Sequence, residues 1–283
     1  MNSVPGITRQ AILLTAHRNP EQVRRLVRSL SHPGLDIFLH VDRRVDPRPF
    51  AVEGVKIHPH PAVVPWGGWG LVDATQRLLE FARSSGTYSH FTHLSGQDYP
   101  LIPVDRIVDS IAAWEGNLLD MGWSREERSW RWAQYHVTTS DPMARIIQRL
   151  HRKFILRGRT RALPEGLSFA CGSALWTLSS DSVDWIFQFL RDRPDVAKFF
   201  RNTLNTSEMF YQILVQASPY RDRIREYKHY IDWSVGLAHP KDLGMEDFER
   251  IRDSGMWFAR KFDAATSNEV LDRIDRELLG TGG

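Results

Sequence analysis

A single cysteine, Cys171, in 283 residues excludes any disulfide within the chain and any metal site built from CxxC pairs. Its apolar neighbours beside a predicted strand read as a core setting, with a thiol nucleophile as the alternative. Long hydrophobic runs are also missing. The longest near the start, Ala11–Ala16, is cut by His17 and Arg18. It is too short for a spanning helix or for the apolar region of a secretory signal, so the expected compartment is the cytoplasm. The phosphate-binding patterns GxGxxG and GxxxxGK[ST] do not occur, which removes the signatures of a dehydrogenase and of a P-loop enzyme. Neither HExxH nor GxSxG is found, so zinc-protease and serine-hydrolase readings lack their marks as well. There is no internal repeat and no low-complexity tract, and composition is that of a globular protein.

Excess charge is small, with 37 Lys and Arg against 34 Asp and Glu, and no nucleic-acid partner is expected. A local absence says more. No acidic residue lies between Asp141 and Glu165, whereas Arg145, Arg149, Arg152, Lys153, Arg157, Arg159 and Arg161 all do. Met143, Ile146, Ile147, Leu150 and Phe154 recur at helical spacing, so the stretch 143–161 opens as a basic amphipathic helix. Such a helix can rest on an anionic membrane surface or face a lipid-diphosphate acceptor; a core-packed helix with a solvated basic face is the other reading.

What is present is an alternation of short β-rich runs with helical patterns. The runs are Gln10–Ala16, Leu35–Val41, Val55–His58, His90–Ser95, Asn117–Met121 and Phe169–Leu178. Pro20–Leu30 carries Val23, Leu26, Val27 and Leu30 on one helical face, and Leu71–Ala82 carries Leu71, Leu78, Leu79 and Ala82. This order predicts an α/β chain, a mostly parallel sheet of Rossmann type flanked by helices. One domain is expected over 1–283, with a nucleotide-binding half at about 8–122 and an acceptor half at about 123–279. In such sheets ligands lie beyond the carboxyl ends of the strands. The residues there are His17 and Arg18, then Asp42, Arg43 and Arg44, then Ser95, Gly96, Gln97 and Asp98.

A nucleotide-sugar diphosphate is neutralised by a divalent metal or by fixed cations. The metal route shows an Asp-x-Asp pair, and none occurs; Asp42 and Asp46 are four apart. The cation route needs a basic pair between anchors, which Arg260 and Lys261 within Phe258–Asp263 supply, although a solvated pair is the plainer explanation. Glu208 is the candidate proton acceptor, with Thr206 or Ser207 capping a helix through Gln216 that places the carboxylate in its first turn; ordinary helix chemistry would explain it equally. Trp66-Gly67-Gly68-Trp69 joins flat aromatic faces to backbone freedom, and Trp114, Trp123, Trp130, Trp132 and Tyr135 form a second aromatic group. Each suits sugar stacking or core packing.

Read in order, the segments Leu39–Arg44, Trp66-Gly67-Gly68, Leu94–Leu101, Gly172-Ser173, Ser207–Phe210, Ile231–Trp233 with His239–Lys241, and Phe258–Phe262 resemble the core-2/I-branching glycosyltransferases. That family includes β-1,6-N-acetylglucosaminyltransferases and peptide O-xylosyltransferases. The resemblance runs from Ala11 to about Asp275 and implies a GT-A-like fold, a UDP-sugar donor, inversion at the anomeric carbon and no required metal. It implies Glu208 as general base and Arg260 with Lys261 as diphosphate clamp. His17, Asp42, Arg44 and Trp66 would complete the donor site, and Gln97, Asp98 and Trp176 would touch acceptor or sugar. Ala174 and Leu175 depart from the family pattern after Gly172-Ser173, where a polar residue is usual, and this bears on the donor sugar. N-acetylglucosamine is expected first and xylose second. With no anchor and no disulfides, the chain looks like a bacterial or cytosolic relative that acts on a carbohydrate or lipid-linked acceptor for surface polysaccharide. The alternative is a non-catalytic carbohydrate- or polyanion-binding protein on the same fold.

Overall fold

The computed structural model describes residues 9–122, 129–136, 138, 143, 146, 150, 160–236 and 239–281. Its strands in chain order are β1 (Gln10–Ala16), β2 (Leu35–Val41), β3 (Val55–Ile57), β4 (His90–Ser95), β5 (Asp98–Pro100), β6 (Asn117–Leu119), β7 (Trp176–Ser179), β8 (Ile224–Arg225), β9 (His229–Ile231) and β10 (Phe258–Arg260). Its helices are α1 (Pro20–Ser29), α2 (Gly70–Ser85), α3 (Val104–Ala112), α4 (Trp130–Ala133), α5 (Ser180–Asp192), α6 (Pro194–Phe200), α7 (Phe210–Ala217), α8 (Phe248–Arg252) and α9 (Asn268–Ile274). The chain divides into two compact units. The first comprises the residues up to His60, Leu78–Glu115 and everything from Tyr227 onward; the second comprises Pro61–Arg77 and Gly116–Glu226.

In the first unit four strands lie parallel in the order β3-β2-β1-β4. β1 is buried along nearly its whole length, as a parallel strand covered on both faces must be, and its centre, Ala11–Leu14, is accordingly an apolar run. Helix α1 starts at Pro20, where a missing N–H costs nothing, and buries Val23, Leu26 and Val27. Each such aliphatic side chain stabilises the fold by roughly 1.5–3 kcal/mol on leaving water. Ala16 of β1 stands opposite Val41 of β2, and Thr15 stands opposite Ser95 of β4. The loops that follow the three strands therefore leave the sheet side by side. Gly96 sits tightly here, since a Cβ on it would lie 2.8 Å from Val23 Cγ2. A second sheet in this unit sets β10 between β5, antiparallel, and β9, parallel.

In the second unit β6 pairs antiparallel with β7 and parallel with β8. Buried Asn117 on β6 accepts from Ser179 N (3.1 Å) and donates to Ser182 Oγ (2.9 Å), which satisfies the start of α5. Helix α7 is buried at every position from Phe210 to Val215, so it runs through the unit's core.

The expected strands, α1 and α2 all form, with three shortened; the third run, expected to His58, ends at Ile57. The fifth run ends at Leu119, and the sixth begins only at Trp176. Upstream of Trp176 the backbone is engaged elsewhere: Gly172 N donates to Glu208 O (2.9 Å), and Ser173 N donates to Asp120 Oδ2 (3.0 Å). The helix expected from Thr206 to Gln216 is also corrected. Thr206–Glu208 is a separate 3-10 turn, and α7 starts after Met209, whose φ of −134° breaks the helix. Neither Thr206 nor Ser207 caps α7, because the Thr206 hydroxyl donates backward to Thr203 O (2.7 Å) and Phe200 O (3.1 Å).

Candidate functional site

In the first unit the parallel strand ends collect the polar residues that sequence places there. Asp42, buried directly after β2, is held by its own N–H on Ala16 O (2.9 Å). Its carboxylate accepts a fork from Arg44, Nε at 2.9 Å and Nη2 at 2.8 Å, plus Arg44 N at 2.9 Å. Arg44 itself is half exposed. His17 stands beside this pair; its pKa is lowered by desolvation first, then by Arg18 and Arg44, against an opposing pull from Asp42, so the imidazole is neutral at pH 7. Arg18 reaches Asp263 at 3.7 Å.

The second sheet brings the C-terminal basic pair to the same neighbourhood. Arg260, at the end of β10, stands opposite Asp98 on β5, and Phe262 N donates to Gln97 O (2.9 Å). Leu94–Leu101 and Phe258–Phe262, far apart in sequence, are thus adjacent in the fold. Lys261 is almost buried, with Nζ 3.3 Å from Asp242 Oδ1 and 3.3 Å from His239 Nδ1. Gln97 Nε2 is buried and has no hydrogen-bond partner among the described residues. Asp98 is fully buried. Its Oδ2 accepts from Ser95 N (2.6 Å) and its Oδ1 from Ser95 Oγ (3.1 Å). Burial pulls the Asp98 pKa up, but the charge of Arg260, with His229 and the Ser95 N–H, outweighs it and holds the carboxyl below its ordinary value.

The second unit holds Glu208. Its carboxylate accepts from Arg131 Nη1 of α4, and both side chains are largely shielded. The first-turn placement expected for Glu208 is thereby replaced by an ion pair at the end of a 3-10 turn. Around it, Leu204 N donates to Arg131 O (2.9 Å) and Asn205 N donates to Gly67 O (2.7 Å). Gly67, at φ +70°, packs so close that a Cβ would meet Asn205 Oδ1 at 2.8 Å. The Trp66-Gly67-Gly68 loop is therefore built against the Glu208 turn. Gln212 Nε2 of α7 donates to Ser173 O.

The aromatic candidates separate by exposure. Trp66 is 72% exposed and offers an open ring, whereas Trp69 sits edge-on against Phe210 at 5.3 Å. Trp176 is completely buried against Tyr211 (4.5 Å), so no ring face is available for sugar. Full burial likewise removes Asp98 from direct contact with an acceptor. Trp123 and the basic side chains from Arg145 to Arg159 lie outside the described residues. Arg161 does not belong to a solvated basic face: it donates to Trp132 O (2.8 Å), Phe199 O (3.0 Å) and Thr203 Oγ1 (2.9 Å) and stacks over Phe199 at 4.0 Å. Met143, Ile146 and Leu150 are helical and exposed.

Sequence reasoning missed Arg131, Asp120, His229 and Asp242. Spacing gave no signal for any of them, since each is joined to its partner only by the fold. Among the described residues no group of three or more His, Cys, Asp or Glu is placed to hold a metal ion, and no helix is long and apolar enough to cross a membrane.

A family model described as Core-2/I-Branching enzyme matches residues 11–252. Xylosyltransferase 1 of Canis lupus familiaris is 26% identical over 312 residues, covering 96% of this chain and 31% of that protein. Xylosyltransferase 2 of Mus musculus is 26% identical, with 96% and 34% covered. The beta-glucuronosyltransferase GlcAT14B of Arabidopsis thaliana is 25% identical, with 92% and 63% covered. The chain thus spans about a third of the length of the xylosyltransferases it matches. Among solved structures, the WbbM bifunctional glycosyltransferase aligns over 99% of this chain and 52% of its own with a TM-score of 0.41 and 8% identity, a likeness too weak to bear on the fold.

Proposed function

Because the chain belongs to the Core-2/I-branching enzyme family, we propose that it transfers a sugar from a UDP-sugar to an acceptor hydroxyl, with inversion and with fixed cations in place of a metal. One observation carries the donor side. Arg260 and Lys261 are delivered by β10 beside Gln97 and Asp98, at the carboxyl end of the β1-β2-β4 sheet edge where His17, Asp42 and Arg44 emerge. Arg260 and Lys261 would take the diphosphate, and the buried, unmet donor of Gln97 would reach toward donor or acceptor oxygen. His17, Asp42 and Arg44 would contact the nucleoside, and Trp66 the donor sugar.

Glu208 is the base in this reading. It would take the acceptor proton as the oxygen attacks the anomeric carbon from the face opposite UDP. The Arg131 contact supplies an anionic carboxylate with a counter-charge at Oε2. Relatives named for xylosyl and glucuronosyl transfer move xylose and glucuronic acid ahead of N-acetylglucosamine as donor sugars. Incubation with UDP-xylose, UDP-glucuronic acid and UDP-N-acetylglucosamine in EDTA, following UDP release and thermal protection, tests the reading. One donor should protect and turn over; no protection and no release with any of them would leave only the carbohydrate-binding alternative.

A contact with anionic membrane through 143–161 is part of the same proposal. The observation that favours it is that Met143, Ile146 and Leu150, three positions on one helical face, are 63%, 53% and 52% exposed. A core-packed helix would bury that face.

A further inference from the structure

We infer that Asp98 is a positioning residue for Arg260, and that its carboxylate sets the guanidinium for a diphosphate without consuming its hydrogen-bond donors. The inference rests on the proposal above that Arg260 and Lys261 hold the UDP diphosphate.

Two of the arginine–aspartate pairs in the first unit are of opposite design. Arg44 and Asp42 form a closed fork, and both faces of the contact are hydrogen-bonded at 2.8–2.9 Å. Arg260 and Asp98 do not: Nε lies 3.6 Å from Asp98 Oδ1, outside hydrogen-bond distance, and this buried Nε has no hydrogen-bond partner among the described residues. Asp98 is anchored away from that gap, because Ser95 holds both its oxygens, Oδ2 by the backbone N–H and Oδ1 by the hydroxyl. Ser95 is the last residue of β4, so the carboxylate is fixed to the edge of the parallel sheet, and the β5-β10 pairing fixes Arg260 opposite it. The result is a counter-charge that attracts the guanidinium over a short, water-poor distance without taking a hydrogen bond from it.

Around the same oxygen, His229 closes the remaining side. Its Nε2 is 3.6 Å from Asp98 Oδ1, and its ring is stacked between Tyr227 and Phe258 at 5.3 and 5.6 Å. Burial lowers the His229 pKa more than Asp98 raises it, so Arg260 is the main counter-charge to Asp98 and His229 the lesser one. Full burial gives Asp98 no route to an acceptor hydroxyl, which removes it both as sugar ligand and as substitute base.

Two effects of opposite sign separate this role from a plain counter-charge. An aspartate near an anion site repels the ligand, so its loss alone would tighten UDP binding. If it orders Arg260, its loss weakens binding instead. Titration of UDP and of uridine into wild type, Asp98→Asn, Arg260→Ala and the double variant decides between them. Asp98→Asn should weaken UDP by about tenfold, a coupling common between contacting residues, leave uridine unchanged, and add nothing in the Arg260→Ala background. Ser95→Ala, which removes one hydrogen bond from Asp98 Oδ1, should weaken UDP in the same selective way but by less, and it serves if Asp98→Asn does not fold. UDP affinity that is unchanged or tighter in the folded Asp98 or Ser95 variants would overturn the inference. So would equal losses for UDP and uridine, which mark a general structural role. Arg260→Ala without effect on UDP would instead overturn the clamp itself, and the inference with it.

Discussion

Glu208 and Arg131 meet only through the folded chain, and the chemistry asked of Glu208 is narrow: it must accept a proton and must be anionic when it does. Glu208→Gln keeps the shape and can still accept from Arg131 through its carbonyl oxygen. It should therefore melt like wild type and bind UDP normally. Turnover should fall by ~10²–10⁴-fold, the usual worth of a general base. Steady-state rates above about a tenth of wild type would move the base to another group. At this scale the sequence was legible where a residue belongs to a motif and illegible where it acts through a partner. Glu208, Arg260 and Lys261 could be nominated as candidates from the motifs around them. Arg131, 77 positions from Glu208, could not, and the burial of Trp176 and Asp98 is a property of packing that no local pattern encodes.

Strands and helices of the first unit were readable because each satisfies one simple period. β1 and β2 are mostly apolar runs, broken only by Gln10 and Thr15 and by Asp36 and His40, and α1 and α2 repeat apolar residues at helical spacing. The segments around Glu208 obey no period, because hydrogen bonds to distant backbone shape them. The residue that opens the Thr206–Glu208 turn, Asn205, donates its N–H to distant Gly67 O, and 169–175 is irregular because Asp120 and Glu208 take its N–H groups. Gly172 is the tightest point of this arrangement. A Cβ there would sit 1.9 Å from Asp120 O, a backbone atom that cannot step aside. Gly172→Ala should lower the unfolding free energy by about 1–3 kcal/mol or more, measured by urea denaturation, and should reduce turnover as it displaces the Glu208 turn. A variant as stable as wild type would show that the contact relaxes without cost.

For the whole molecule, the two units carry different parts of the proposed reaction: diphosphate cations in the first, the base and the open Trp66 ring in the second. The expected alternation of strands and helices foretold the parallel sheet, but not that the chain from Tyr227 onward joins the N-terminal strands, since β9 and β10 are too short to register as periodic runs. A membrane contact also belongs to this scale. Replacing exposed Met143, Ile146 and Leu150 together with Ser should abolish sedimentation with anionic vesicles at low salt and leave UDP binding intact; wild type that fails to sediment would end the idea. The claim on which everything else depends is that protein cations alone hold the donor diphosphate. Calorimetric titration of UDP in EDTA tests it: wild type should bind, and Lys261→Ala should lose roughly 1.5–3 kcal/mol of binding free energy, the range for a hydrogen bond to a charged group. UDP affinity that vanishes in EDTA and returns with magnesium or manganese would contradict the account.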